Sequence, residues 1–315
     1  MNRPITNVTI FSVLWAFQIY VTKVAFFHQA QLGAFVFLSA LSTLLVCSVY
    51  FLPKTFLELR QLRITDHKAL LIILLSGFVH YGVGGMFSTA GVAFSSATSA
   101  AFLSKLSFVF TLGLAALFLA EPLTKSKLGA AGLMLFGAYL LATQGQSLTP
   151  GIGNLLVILA CICWSSGTIL TKLALRRTKI SGELISAVRP FVGTPFLLAY
   201  ALLVPHFSVA TRAAFGDTLW QPEILPFALL NGLLTVLTWV FLNRTLTVAT
   251  ASYMTMMSMM TPVLVAMLAV TFLGETLALV QLLGAGLIIA GAVFTHFREN
   301  RPQRTTPTSQ QPSHP

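Results

Sequence analysis

Charged side chains are scarce in this 315-residue chain: they make up 9% of it, while 56% is hydrophobic. A soluble domain carries about 25% charged residues. A water-exposed surface therefore cannot be covered, and a soluble globular protein is excluded. Acidic groups are the scarcest, with 8 Asp+Glu against 19 Lys+Arg and a net charge of +11. No Asp or Glu lies well inside an apolar run; Glu121 and Glu275 stand at run ends. That argues against a carboxylate proton relay. Cysteine is also rare. Cys47, Cys161 and Cys163 all sit inside apolar runs, and the last two lack the spacing and partners of a zinc site. They are expected to be small packing residues. HExxH, GxxxxGK[ST] and GxSxG are missing, as are paired carboxylates within a span. His28, His67, His206 and His296 occur singly near helix ends. An ATP-driven pump or a hydrolase is thereby disfavoured, and no enzyme activity, cofactor or metal is expected. The basic excess shows no patch with interleaved aromatics, so nucleic acid is not an expected partner.

What is present is a series of long apolar runs. Each is near the roughly 20 residues that cross a bilayer as a helix. Ten can be marked, at about 7–28, 32–52, 68–90, 96–119, 127–144, 153–175, 183–205, 224–243, 250–273 and 277–297. The first is too long for a signal-peptide core, and no small-residue cleavage site follows it. The tail from Arg298 to Pro315 is rich in Arg, Gln, Thr and Pro and is expected to be disordered. With the N-terminus inside, fourteen basic residues fall in loops on one side, among them Lys54, Arg60, Arg63, Lys68, Arg176 and Arg244, and only Arg212 on the other. Positive loops lie on the cytoplasmic side. The expectation is therefore an all-α integral protein of the cell (plasma or inner) membrane with both termini cytoplasmic.

The chain repeats itself. Trp15 and Lys23 are eight apart in the first run, as are Trp164 and Lys172 in the sixth. At an offset of 154, Phe87 meets Phe241, Ala97 meets Ala251, and Leu119-Ala120-Glu121 meets Leu273-Gly274-Glu275. Ala131, Gly132, Leu133 and Gly137 likewise meet Ala285, Gly286, Leu287 and Gly291. The offset is 149 at the start of the halves. The expected organisation is a cytoplasmic N-terminus (1–6), a five-helix unit (7–144), a second such unit (153–297) and the tail (298–315). Because five is odd, the two units enter the membrane in opposite orientations. Inverted repeats of this kind build many secondary transporters.

At these residues the sequence resembles the EamA-like group of the drug/metabolite transporter superfamily. That family carries W-G-x6-K in the first helix of each half. The match here is Trp15-Ala16 followed by Lys23, and Trp164-Ser165 followed by Lys172, with the glycine replaced both times. It also ends the fourth helix of each half in L-G-E before a glycine-rich fifth helix. The second half has the expected Arg189 and a helical Pro262; the first half has neither. The resemblance covers about residues 7 to 297. It implies a ten-helix carrier of small organic molecules without naming the molecule.

Ionisable groups inside a bilayer need a reason to be there, since each costs at least ~2.5–3.5 kcal/mol at mid-depth. Lys23 and Lys172 either snorkel to headgroups or serve as gate charges at each mouth. Arg189 is expected to be structural, bonding freed carbonyls or pairing with Glu183 or Glu275. Lys105 stands roughly 13 Å along its helix by the 1.5 Å rise, and its equivalent is Met259. It either faces a central cavity and attracts a carboxylate, or is a buried lysine paired with carbonyls or held neutral. His80 and Tyr81 lie beside Gly82, Gly84 and Gly85, and His80 either relays protons or packs. Met254, Met256, Met257, Met259, Met260 and Met267 enrich the ninth run, as an adaptable binding surface or as lipid-facing filler. Pro262 is a bending point or a static kink. The candidate substrate-binding set is Lys105, His80, Tyr81, Trp15, Trp164, Asn231, Trp239 and Tyr253. Candidate gating or structural residues are Lys23, Lys172, Arg189 and Pro262.

The function expected is a secondary transporter, of exporter type, for small metabolites such as amino acids, working by alternating access. A multidrug efflux carrier and a membrane enzyme acting on lipid-linked substrates are the alternatives. The latter calls for clustered acidic or histidine ligands at one face. Membrane lipids and a small-molecule substrate are the expected partners, with a homodimer as the protein–protein association considered.

Overall fold

The computed structural model describes residues 4–28, 30–95, 97–148, 151–178, 180–203 and 209–299. Among them, every regular element is helical. Ten helices are long and apolar enough to cross a membrane. They are α1 (Pro4–Phe27), α2 (Leu32–Leu62), α3 (His67–Val92), α4 (Ser99–Leu119), α5 (Lys125–Thr143), α6 (Ile152–Arg177), α7 (Gly182–Leu203), α8 (Ile224–Val248), α9 (Ala251–Leu273) and α10 (Leu279–Arg298). A short helix, Val209–Trp220, precedes α8. The tail beyond Glu299 and the charges Arg3, Lys179, Arg301 and Arg304 lie outside the described residues.

Two boundaries differ from the hydropathy reading. α2 runs on to Leu62, because Pro53 sits in the first turn of a further helical stretch, Leu52–Thr65. Its apolar side, through Leu62, packs on Ala69, Ile73, Leu184 and Ile185. α8 continues to Val248 and so carries Arg244 on the helix, where it pairs with Glu183. Charge marked the end of apolarity at both places, not the end of the helix.

α1 packs on α8 and α9, α2 on α7 and α8, α3 on α6 and α7, and α4 on α6 and α9. α5 and α10 pack on each other, where Gly137 and Gly284 let the two backbones meet. Each pairing recurs when an element is replaced by the one five places along.

The fourth and ninth spans are both broken. The fourth consists of helices Ala97–Leu103 and Leu106–Leu119 around a tight turn at Ser104–Lys105. The ninth consists of Ala251–Met257 and Thr261–Leu273 around a 3₁₀ turn at Ser258–Met260. The breaks are 154 residues apart, the offset of the repeat. Pro262 opens the last segment of α9 and leaves one helical bond unmade. Phe108 holds the matching place in α4, so the break does not need proline.

In hydrocarbon each freed carbonyl must find a donor. In α4 the donors come from α6. The Cys161 thiol reaches the carbonyl of Leu103 at 3.3 Å, and the Ser165 hydroxyl reaches that of Ser107 at 2.7 Å. Cys161 is thus more than a filler of space. Both spans then end in a left-handed residue, Ala120 (φ 53°) and Gly274 (φ 66°).

Two outcomes follow for stability in detergent. Gly274→Ala introduces a Cβ at positive φ and lowers the free energy of unfolding by about 1 kcal/mol, whereas Ala120→Gly does not lower it. Asp66 caps His67–Gly77 by accepting from the Ala69 N–H, and it pairs with Arg177 at 2.6 Å. The backbone N–H first, and the guanidinium second, hold its carboxyl below the usual carboxylate range. A depressed carboxylate stabilises the fold above its unfolded pKa and stops doing so as pH falls through its folded pKa. Asp66→Asn therefore flattens the acid limb of the stability curve below about pH 4 and leaves its shape near neutrality unchanged.

Candidate functional site

Three helices present one face to a common interior at spacings of four, three and four. In α1 the stripe is Phe11, Trp15, Gln18 and Thr22; in α2 it is Leu32, Val36, Ser39 and Thr43. In α8 it is Asn231, Thr235, Thr238 and Leu242. With α3, α4, α6 and α9 they enclose a cavity of about 430 Å³. Along α1 it extends eleven residues, roughly 16 Å. Six large aromatic rings line it: Phe11, Trp15, Phe35, Tyr81, Trp164 and Trp239. Hydroxyls and amides fill the gaps, and α1 is laced to α8 by Gln18–Thr235 and Asn231–Thr22 hydrogen bonds, each 2.7 Å. Among the described residues, none that lines the cavity is Asp, Glu, Lys or Arg.

His80 and Tyr81 lie on a π-helical turn, Phe78–Val83, which turns both side chains to the cavity. Glycines on facing helices make room for them. A Cβ at Gly167 would stand 2.3 Å from the His80 Cβ, and one at Gly193 would stand 2.7 Å from the Tyr81 ring. Tyr81 meets Trp239 edge to face, centroids 4.6 Å apart.

Six of the eight expected substrate-binding residues thus meet: Trp15, His80, Tyr81, Trp164, Asn231 and Trp239. Lys105 does not join the lining. Its position in the α4 break aims its ammonium at the Trp15 ring, 5.0 Å from the centroid, so it stands one side chain behind the wall. Tyr253 is also elsewhere: it is buried, with its hydroxyl 3.1 Å from the His296 Nδ1. The methionines of α9 form neither a lipid face nor a binding surface as a group. Met254, Met256, Met257 and Met259 are buried with Val8, Phe11, Phe108 and Leu112, and of the six only Met254 reaches the cavity. Met267 alone of these six is largely exposed.

Arg189 departs most from expectation. It is 0% exposed, yet it pairs with neither proposed acid. Glu183 is held by Arg244 and Glu275 by Lys23. One guanidinium nitrogen, Nη2, donates to the hydroxyls of Ser76 (3.0 Å) and Thr171 (2.6 Å). Freed carbonyls are not its partners, because Pro190 and Pro195 stand inside a helix whose neighbours already supply hydroxyls.

The end of the cavity nearer Pro4 is shut by a set of polar contacts. Glu121 is buried, and its two oxygens accept the backbone N–H groups of Ala251 (2.9 Å) and Ser252 (3.0 Å) at the start of α9. The Ser252 hydroxyl adds a third bond at 2.6 Å. The anion thereby meets the positive end of a helix. Beside it, the Lys172 ammonium donates to the last carbonyls of α8, Leu246 at 2.5 Å and Ala249 at 2.6 Å. The repeat partners of these two residues, Glu275 and Lys23, sit near the Phe27 end. They hold only each other, with side chains 43% and 40% exposed.

A ten-span helical protein enclosing a solute-sized aromatic and polar cavity has the make-up of a membrane transporter. The comparisons agree. Residues 3–143 and 151–297 each match the model of the EamA-like transporter family. The chain belongs to that family, within the drug/metabolite transporter superfamily, and is a multi-pass membrane transporter of small molecules. No match is found among curated proteins. A solved structure titled only "Crystal structure of protein" has the same fold, at a TM-score of 0.65 and 16% identity over 94% of this chain and 98% of that one.

The close approach at His80 gives a direct check. Gly167→Ala forces the His80 side chain to shift and costs about 1–3 kcal/mol of stability in detergent. Gly113→Ala, where a Cβ meets nothing within 4 Å, costs nothing measurable by the same thermal melt.

Proposed function

We propose that the protein is a secondary carrier, of exporter type, for small organic metabolites such as amino acids and related compounds. It works by alternating access between two five-helix halves inserted in opposite orientations, and it is a carrier rather than an enzyme. The observation that carries this reading is the inequality of two repeat-equivalent locks. Glu121 and Lys172 are buried and bonded to helix ends where the cavity is closed. Glu275 and Lys23 are half-exposed near the end where Thr22 and Leu32 line it.

In the second conformation the roles exchange. At the 154-residue offset, Ala251 and Ser252 correspond to Ala97 and Thr98, and Leu246 and Ala249 to Val92 and Ser95. Glu275 then takes the N-terminus of the fourth span, and Lys23 takes the last carbonyls of the third. The Lys23–Glu275 pair and the Glu121 cap break in favour of their counterparts. Charge-assisted bonds contribute about 1.5–3 kcal/mol each, so bonds lost at one mouth are offset at the other. The two states stay within a few kcal/mol, as alternating access requires.

The face near Pro4 carries Lys54, Arg60, Lys68, Lys125, Lys127, Arg176, Arg177 and Arg244. By the positive-inside rule it is the cytoplasmic face of the cell membrane. The conformation described is then the outward-open one. Its cavity is lined by hydroxyls, amides and indoles suited to reversible binding of an amphiphilic solute.

Two measurements test this. In proteoliposomes, a panel of amino acids, organic acids and amphiphilic drugs should include a solute that the protein moves down its gradient. If nothing moves, with or without a pH gradient, the carrier reading fails. In the second, the native cysteines are replaced and Ser39→Cys in the cavity is labelled by an impermeant maleimide from the outer side. Glu121→Gln weakens the closed mouth and slows labelling several-fold, while Glu275→Gln does not. Equal effects of the two variants would refute the exchange of locks.

A further inference from the structure

Both cations in the middle of the bundle stand against indoles of the cavity wall. Lys105 lies over Trp15, and the Arg189 guanidinium lies 5.8 Å from the centre of the Trp239 ring. Arg189 is the more demanding of the two. A guanidinium has five N–H bonds, and the two on Nη2 are taken by Ser76 and Thr171. Nε and Nη1, although buried, meet no acceptor among the described residues. On the cavity side, the buried Thr238 hydroxyl likewise meets no partner among the described residues. His80 is within electrostatic range of Arg189, and both His80 and Thr238 line the cavity. A buried charge with unsatisfied donors is strongly unfavourable unless an anion or water reaches it. Neither glutamate expected as its partner supplies that anion: Glu183 pairs with Arg244 and Glu275 with Lys23.

We propose that Arg189 is an anion anchor behind the Trp239–Tyr81 pair, and that its ligand is the carboxylate of a solute whose apolar part lies among the indoles. This rests on the carrier reading and narrows it to carboxylate-bearing substrates. Trp239 touches Arg189 and lines the cavity, and Tyr81 holds it edge-on. Arg189 does not itself line the cavity, so binding requires the Trp239 indole to swing aside from Nε and Nη1. Nη1 offers two N–H bonds to one carboxylate oxygen, while both forked edges of the guanidinium include Nη2, which Ser76 and Thr171 already hold.

The experiment uses the purified full chain in detergent and radiolabelled benzoate in chloride-free buffer at fixed ionic strength. Benzoate should bind, and benzamide, its neutral isostere, should displace it at least tenfold less well. Arg189→Gln should weaken benzoate at least tenfold and leave benzamide nearly unchanged. Lys105→Met should weaken benzoate by less than threefold. Should Arg189→Gln fail to fold, the wild-type preference for benzoate and the Lys105→Met value decide. Equal binding of benzoate and benzamide overturns the proposal, and so does loss of benzoate binding in Lys105→Met. Displacement of benzoate by 10 mM chloride also overturns it, since the counter-ion would then be inorganic. In each of these cases transport of neutral solutes in proteoliposomes would continue, whereas failure of the carrier reading removes transport of every solute.

Discussion

Inside a hydrocarbon layer a backbone carbonyl without a donor costs several kcal/mol, and the interior of this molecule is arranged around that cost. Its fourth and ninth spans are both interrupted about a third of the way along. Each interruption frees carbonyls that a continuous helix would have satisfied. In the fourth span the thiol of Cys161 takes up the carbonyl of Leu103, and the hydroxyl of Ser165 adds a bond to that of Ser107 at the start of the next segment. Thr111 then bonds to Ser165. The same side chains of α6 that repair the backbone also place Trp164 and Ser165 in the cavity wall. The break, its repair and the binding surface are one construction. Lys105 is where it is because the broken turn swings its side chain toward Trp15.

Helix ends obey the same rule at the mouths. Glu121 supplies acceptors to the exposed N–H groups that begin α9, and Lys172 supplies donors to the carbonyls that end α8. The connection between α8 and α9 is too short to satisfy these groups itself. A short loop in a membrane protein thus makes its own need for a lock, which Glu121 and Lys172 meet at this end. Closure at this end comes from polar capping laid over a buried methionine cluster. Neither would suffice alone, since the apolar contacts lack direction and the caps lack area.

Much of this was legible beforehand. Hydropathy alone places ten spans, because a span needs little beyond length and apolarity. The paired Trp–Lys spacing and the matched Leu-x-Glu endings place the repeat, and Trp15, Trp164, His80, Tyr81, Asn231 and Trp239 all reach the cavity. The polar stripes of α1, α2 and α8 were present as spacings of four, three and four. They were overlooked because hydroxyls inside apolar runs leave the hydropathy almost unchanged. Lys105 and Tyr253 were misplaced for a different reason. Side-chain direction there depends on a broken helix and on the final segment of α10, and neither is a local property. Arg189 meets hydroxyls instead of acids because Glu183 and Glu275 are already paired with Arg244 and Lys23, which the sequence does not reveal.

The departures between the two halves carry as much meaning as their likeness. Where the second half has Gly274, Pro262 and Met259, the first has Ala120, Phe108 and Lys105. In the carrier reading, identical halves would give two conformations of equal free energy with the roles of the halves exchanged, and a departure unbalances them only where it acts differently in the two. Ala120 in the left-handed region costs roughly 1 kcal/mol more than glycine there, a cost common to both states. Lys105 and Arg189 differ in kind, because each lies in one half only and each stands beside a tryptophan of the wall. A rearrangement that moves those indoles changes what the two charges can see. A solute that carries the missing negative charge would bind unequally to the two states, and only a ligand with such unequal affinity can shift their balance. The chemistry of the cargo and the balance between conformations would then both be set at Arg189, with Lys105 acting only through the position of Trp15.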